Sequence, residues 1–288
     1  MNNGYSLVGI VEVTVTNADG SVESKKVYNK ITNYAKKSLA KWLSGSPNTG
    51  TGAVLPPTVI AAGNGTPPYG VTGPLATDTA LWSEMTGTRK SCDQIMVTQA
   101  YYAQYNLAYQ MSDPEGYYNE LGLFDANGNL WAHVAIDQYK SASQTLTIQW
   151  MVYMIADTSN SFAVVTNFMR TAFASWMSGV SNVSGQVGAV PPPTRIQVGT
   201  GTGRVSSADT ALWNPIPSLE RACQTIQVVS SYNVLFALTY ASIDPSGTYT
   251  EMGWVDGSGN LWFHAGINAV KQAGYIMSIV GQVGIVGN

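Results

Sequence analysis

Several stretches of this chain are apolar and β-branched, with a partial alternation of apolar and polar positions at the period of β-strands. Leu7 to Thr16 is apolar and β-branched, Asn17-Ala18-Asp19-Gly20 is a turn signal, and Ser21 to Tyr28 can return antiparallel. That pattern predicts a hairpin. The period then changes. Asn33 reads as an N-cap, Ala35, Leu39 and Trp42 or Leu43 follow at helical spacing, and Gly45 is a stop, which predicts a helix over Tyr34 to Leu43. Its other face carries Lys36, Lys37 and Lys41. After a Gly/Ser/Thr/Pro loop come a short strand, Thr58 to Ala62, and a long tyrosine-rich one, Gln94 to Met111. Asp113-Pro114-Glu115-Gly116 is a turn. Leu121 to Phe124 and Asn129 to Ile136 flank Asp125-Ala126-Asn127-Gly128 as a second hairpin, and Thr145 to Ile155 closes the unit.

The same order of elements is then written again. Thr32-Asn33-Tyr34 through Trp42-Leu43-Ser44-Gly45 matches Thr166-Asn167-Phe168 through Trp176-Met177-Ser178-Gly179 without a gap. Gly52 to Thr58 answers Gly188 to Thr194, and Gly63-Asn64-Gly65-Thr66 answers Gly199-Thr200-Gly201-Thr202. Beyond an insertion at Pro67-Pro68-Tyr69-Gly70, Asp78 to Lys140 matches Asp209 to Lys271 without a gap. The second helix is Phe168 to Met177, where the lysine face becomes Arg170, Thr171 and Ser175. Thr194 to Val198, Thr225 to Ala241 and Tyr275 to Val286 are the corresponding strands, and Asp244-Pro245-Ser246-Gly247 the corresponding turn. The chain therefore reads as mainly β: two homologous antiparallel β-sandwich or barrel-like domains, 1–156 and 157–288, each with one short α-helix. Asp157-Thr158-Ser159-Asn160 is the seam. Each half is long enough for a core of its own.

Composition narrows the function classes. Only 11% of the 288 residues are charged, against about 25% in ordinary soluble domains. Gly, Ser, Thr, Asn and Tyr take their place, and such a surface suits packing against other subunits. A net charge of −3 offers no basic field for nucleic acid. Two cysteines make no disulfide framework. The N-terminal residues lack the pattern of a signal peptide, and no apolar window is long enough to predict a membrane span.

Potential chemistry is thin. Gly63-Asn64-Gly65-Thr66 lacks the lysine of a phosphate-binding loop and reads as a turn that uses positive φ. Glu120 with Asp125, and Glu251 with Asp256, could form glycosidase pairs. The aspartates, however, sit where turns favour Asp, and the mid-strand glutamates need partners, for which Lys90 and Arg221 are the obvious bases. His133 and His264 stand one per repeat with no metal-ligand spacing around them, and Cys92 and Cys223 read as small buried thiols. The tyrosines of Tyr101-Tyr102-Ala103-Gln104-Tyr105 could stack a sugar or pack a subunit, but the second copy is less aromatic there. Asn64 and Asn182 head formal glycosylation sequons. No catalytic, cofactor-binding or metal-ligating residue is assigned, and no cofactor is expected.

A helix opening with Thr-Asn is followed by Gly-x-Gly-Thr at Gly63, Gly65 and Thr66, then by Asp78 to Leu81 with Lys90 beyond. Glu120 to Asp125, Gly128 and Leu130 come next, and Lys140 precedes a closing strand. This series resembles a domain of structural proteins in tailed bacteriophages, of the tail-fibre, collar and baseplate kind. The second copy departs from it at Pro215, which replaces Glu84, and at Trp254-Val255. The resemblance implies a non-enzymatic virion component, made in the host cytoplasm, that self-assembles as a homo-oligomer with other virion proteins. The parts it could serve are a tail, collar, baseplate or capsid-associated layer. The alternative is a receptor-binding fibre module that grips a host surface glycan or protein. Sequence-specific nucleic-acid binding and membrane insertion are not expected.

Overall fold

The computed structural model describes residues 2–45, 54–98, 101–156, 163–179, 192–230 and 232–287. The seam 157–160, the sequon residue Asn182 and the loop residues 52–53 and 188–191 lie outside them.

The first repeat runs β1 (Asn2–Thr16), β2 (Val22–Ile31), α1 (Asn33–Leu43), β3 (Pro57–Gly63), β4 (Lys90–Ser91), β5 (Gln94–Thr98), β6 (Tyr102–Tyr109), β7 (Gly116–Asp125), β8 (Leu130–Lys140) and β9 (Thr145–Ala156). The second runs β10 (Ala163–Val165), α2 (Asn167–Ser178), β11 (Arg195–Gly199), a 3-10 turn at Pro217–Leu219, β12 (Arg221–Ala222), β13 (Thr225–Ser230), β14 (Asn233–Tyr240), β15 (Gly247–Val255), β16 (Leu261–Lys271) and β17 (Met277–Gly287). The protein is mainly β with short helices, and its curled sheets form a half-barrel.

Two local expectations change. The helix N-cap is Thr32, not Asn33, because Thr32, the residue after β2, is extended while Asn33 is already helical. Its Oγ1 accepts from Ala35 N at 3.2 Å and donates to the Leu130 carbonyl at 2.6 Å, so one hydroxyl both caps α1 and ties it to β8. The tyrosine-rich segment is not one strand but the β5–β6 pair, with Tyr101 at φ 63 between them.

The two halves share one pairing scheme. β4–β3–β7–β8 in the first repeat matches β12–β11–β15–β16 in the second, and β5–β6–β9 matches β13–β14–β17. Even the irregularities repeat, between Tyr118 and Glu120 and between Tyr249 and Glu251. One element is not doubled. β10 pairs with β16 as the end of β2 pairs with β8, but nothing among the described residues of the second repeat corresponds to β1 or to the rest of β2. β1 serves both halves instead. It lies antiparallel to β2 and β9, while Asn2–Leu7 runs parallel to Gln282–Gly287 of β17.

The halves also exchange their helices. α2 packs on β3, β5, β6 and β9 of the first repeat as well as on β16, and α1 packs on β14 and β17 of the second as well as on β8. Tyr105, fully buried on β6, donates its hydroxyl to the Met177 carbonyl of α2 at 2.7 Å. Trp42 and Trp176 stack between the repeats, Trp42 against Trp262 and Trp176 against Trp131. One hydrophobic cluster accordingly contains residues of both halves, rather than one core for each. Burying an aromatic ring removes about 150–250 Å² from water. At about 25 cal/mol per Å² each tryptophan contributes about 4–6 kcal/mol to a core that neither half completes alone.

The exchange explains the lysine asymmetry of the helices. Ser175 is buried and Thr171 half-buried, and the first repeat of the same chain is packed on their helix. Lys37 and Lys41 are exposed, but Lys36 is not: it is covered, with Nζ 4.8 Å from the Tyr232 ring. No helix among the described residues is long and apolar enough to cross a membrane.

Candidate functional site

Most of the ionisable residues common to both repeats gather into two polar knots per repeat. The first is built where β7 and β8 pair. The irregularity after Tyr118 sets Glu120 opposite Ala135 and Gly122 opposite His133, so Glu120 and His133 meet inside the fold, both fully buried. His133 Nε2 lies 2.8 Å from Glu120 Oε2, and Nδ1 lies 2.7 Å from Asp78 Oδ2. Glu120 also accepts the backbone N–H groups of Trp82 at 2.8 Å and Ser83 at 2.7 Å. Asp78 Oδ2 accepts from Leu75 N at 2.9 Å, and the Trp82 ring stands edge-on to the imidazole at 4.7 Å.

The second repeat rebuilds this knot residue for residue. His264 lies 3.1 Å from Glu251 and 2.7 Å from Asp209. Glu251 accepts from Trp213 N, Asn214 N and Gly201 N, and Trp213 stands on His264 at 4.7 Å.

The Gly-x-Gly pattern belongs to this knot, and not through backbone freedom. None of Gly63, Gly65, Gly199 and Gly201 has positive φ, contrary to the turn reading. A Cβ on Gly63 or Gly65 would instead stand 2.4 or 2.6 Å from Glu120 Oε1, and one on Gly199 or Gly201 would stand 2.3 or 2.7 Å from Glu251 Oε1. The glycines are absent side chains that leave space for a carboxylate.

Burial alone raises the Glu120 pKa. The hydrogen bonds from His133, Ser83 and Trp82, with the charge of His133, outweigh burial and hold it below the ordinary value. Both ring nitrogens of His133 are thereby engaged, each by a carboxylate oxygen. An imidazole closed on both nitrogens has no lone pair facing a substrate, as a general base must have. The three side chains also do not converge on one point, and among the described residues no His/Cys/Asp/Glu group is placed to hold a metal ion.

The expected pairs Glu120–Lys90 and Glu251–Arg221 do not form. Lys90 binds Asp113 at 2.5 Å and Arg221 binds Asp244 at 2.5 Å, in the second knot. These bases stay partly exposed, and the turn aspartates reach them at the rim while the glutamates point inward to the histidines. Lys140 is buried in this second knot, donating to the Asp113 and Ser141 carbonyls at 3.2 and 3.4 Å. Lys271 does the same to the Asp244 carbonyl at 2.9 Å. Burial lowers the Lys140 pKa despite the charges of Asp113 and Glu115. Tyr118 and Tyr249 fasten the same turns through the Pro114 and Pro245 carbonyls.

The remaining groups are placed as structure too. Asp125 accepts from Asn127 N and Asn129 N, both at 2.9 Å, and from the Tyr34 hydroxyl at 2.8 Å. Asp256 keeps the turn bonds, but Phe168 replaces Tyr34 and the Trp262 indole N–H takes the vacated oxygen at 3.2 Å. Burial pushes the Cys92 thiol up to about 12 and the Cys223 thiol up to about 11, far from the reactive range. Of the tyrosines that could stack a sugar, Tyr105 is buried and gives its hydroxyl to the Met177 carbonyl, while Tyr101 and Tyr102 are half-buried, Tyr101 with the Arg170 guanidinium 4.8 Å from its ring.

Two surface features were not foreseen from sequence. One is a cavity of about 450 Å³ beside the first knot, lined by Trp82, Asn119 and Asp137, among others. Asp137 sits there at φ 51, a strained conformation for a residue other than glycine. The other is a groove between β16 and β17. No family model, curated protein or solved structure matches the chain.

Proposed function

We propose that this chain is a non-enzymatic structural protein of a virus particle, of the tailed-bacteriophage kind, that self-assembles into a tail, collar, baseplate or capsid-associated layer. The observation that carries the reading is how the repeated charged and polar residues are used. Asp78, Glu120, His133, Lys140 and their equivalents are closed on one another or on the backbone, inside the fold. They rigidify two knots per repeat and leave a surface poor in charge. The strands at two sheet margins, β5 and β13, carry no charged residue, although charge is the usual protection of a free edge. An unprotected edge on a rigid frame suits ordered assembly. Negative-stain microscopy of the purified protein tests this. Rings, tubes or sheets are expected, and dispersed single particles at every concentration would contradict it.

The cavity at Trp82, Asn119 and Asp137 favours a second reading, a fibre module that binds a host glycan. An indole beside an amide and a carboxylate offers stacking and hydrogen bonds to a sugar ring. Glycan-array binding that is lost in Trp82→Ala would select it.

A further inference from the structure

Among the described residues the second repeat has no counterpart of β1, and β1 itself fills only part of that place. In the first repeat Gly9–Thr16 of β1 lies along Thr145–Val152 of β9, with Val11, Val13 and Val15 buried. The equivalent strand, β17, is covered by β14 on one side over Asn233–Tyr240. On its other side β1 covers only Gln282–Gly287. Met277–Gly281 therefore presents free backbone groups there, with no pairing strand among the described residues.

Beside this edge runs the groove between β16 and β17, of about 340 Å³. Met252, Trp254, Ile267 and Ile279 line it, with Asn268 and Ser278, and no lining residue is charged. Val280, 61% exposed, stands at the edge, and Val270, Tyr275 and Ile276 are exposed near it in sequence. The first repeat differs: the strand beside its β1 is β2, which carries Glu23, Lys25, Lys26 and Lys30. Lysines on an edge block strand addition, and the second repeat has none at this place.

We infer that this groove is a strand-acceptor slot, and that its occupant is β5 of a second copy of the chain. The inference rests on the self-assembly reading and names its contact. The free stretch Met277–Gly281 is as long as the five-residue β5. Among the described residues β5 pairs only with β6, so no described strand takes its outer edge, and Gln94, Ile95, Met96, Val97 and Thr98 carry no charge to oppose entry into an uncharged groove. Backbone hydrogen bonds join the strands, and apolar side chains cover the groove, as in other strand-addition interfaces. Donor and acceptor lie on different repeats. Each copy therefore offers one of each, and the contact propagates head to tail, closing into a ring or extending into a filament.

Sedimentation velocity on the full chain tests this with two surface lysines. Val280→Lys blocks the slot and Met96→Lys blocks the donor. Circular dichroism checks that both remain folded. Wild type is expected to form species larger than a dimer, and each variant alone to lose association by more than tenfold. Mixed, the two variants retain one intact slot and one intact donor between them, so they should form a dimer and stop there. Wild-type assembly that both lysines leave intact would overturn the slot while sparing the self-assembly reading. A wild type that stays monomeric up to about 100 µM, a concentration at which an interface with a Kd of 1 µM (about −8 kcal/mol) is mostly occupied, would overturn both. A mixture that remains monomeric would overturn the head-to-tail contact.

Discussion

Trp42 lies flat on Trp176, the residue that holds its own place in the second repeat, with ring centroids 4.7 Å apart and planes 11° apart. Each indole also reaches the other's partner on the β8-type strand, Trp42 to Trp262 and Trp176 to Trp131. Such reciprocity, in which i meets j and j meets i, is the signature of a two-fold contact between subunits. Here both subunits are one chain, and the contact has become its core.

A single cooperative unfolding transition follows. Because α1 and α2 each pack on the opposite repeat, neither half buries its apolar surface alone. Trp176→Ala should lower the stability of the whole chain by about 3–5 kcal/mol. Chemical denaturation followed by fluorescence and by circular dichroism should give coincident curves. Two separated transitions, with only one moved by the substitution, would show independent domains instead.

The glycines beside the carboxylates are tested by adding one methyl. In Gly65→Ala the new Cβ would stand 2.6 Å from Glu120 Oε1 and 2.7 Å from Ser83 N, with backbone that cannot easily move away. Overpacking of this kind costs about 1–3 kcal/mol. Gly73 has nothing within 4 Å of its Cβ position and no positive φ, so Gly73→Ala is the control, expected within about 0.5 kcal/mol of wild type. Equal effects at the two sites, measured by urea denaturation, would refute the account of the Gly-x-Gly pattern.

Acid should loosen the first knot. The folded-state pKa of Glu120 is lowered from the ordinary 4.5, so its ionised form stabilises the fold. That contribution is complete above about pH 4.5 and is lost as pH falls through the lowered value. Stability measured from pH 6 to pH 2.5 should decline in that window. Glu120→Gln removes the titrating group and should give a less stable protein whose stability falls less steeply there. An unchanged slope in the variant would assign the acid sensitivity to other carboxylates.

Much of this architecture was legible in the sequence, and the failures have physical causes. The helices and hairpins follow periodicity and turn residues, which are local. The duplication is legible because two copies share their spacing from Asp78 to Lys140 and from Asp209 to Lys271. Partner choice inside the fold is not local. Charge matching suggested Lys90 for Glu120, yet Lys90 keeps its head near water, while His133 is delivered to Glu120 by the β7–β8 hairpin. A signal for that pairing was present: Glu and His recur at one spacing across both copies of a recognised hairpin, at Glu120 and His133 and at Glu251 and His264. The exchange of helices left no such trace, since either packing buries the same faces of α1 and α2. Nor could alternation reveal that β1 is shared, because the strand pattern does not say how many neighbours a strand has.

The two repeats place one large ring differently, and this yields a test by paired substitution. Trp150 on β9 and Leu123 on β7 are both fully buried in the first repeat. Their equivalents are Gly281 on β17 and Trp254 on β15, so the indole comes from the opposite strand. The Trp254 ring fills the space a side chain at 281 would take: a Cβ on Gly281 would stand 2.0 Å from its Cζ2. Gly281→Ala alone should therefore be strongly destabilising, by about 1–3 kcal/mol or more from overpacking. Trp254→Leu alone should also destabilise, because it leaves a cavity. Together they should partly cancel, since the smaller Leu makes room for the methyl. A double-mutant cycle read by denaturant unfolding should return a coupling energy of about 0.5–3 kcal/mol, with the double variant more stable than the two single costs predict. Strict additivity would mean that Trp254 and position 281 do not compete for one volume, and that the two repeats fill their cores by unrelated means.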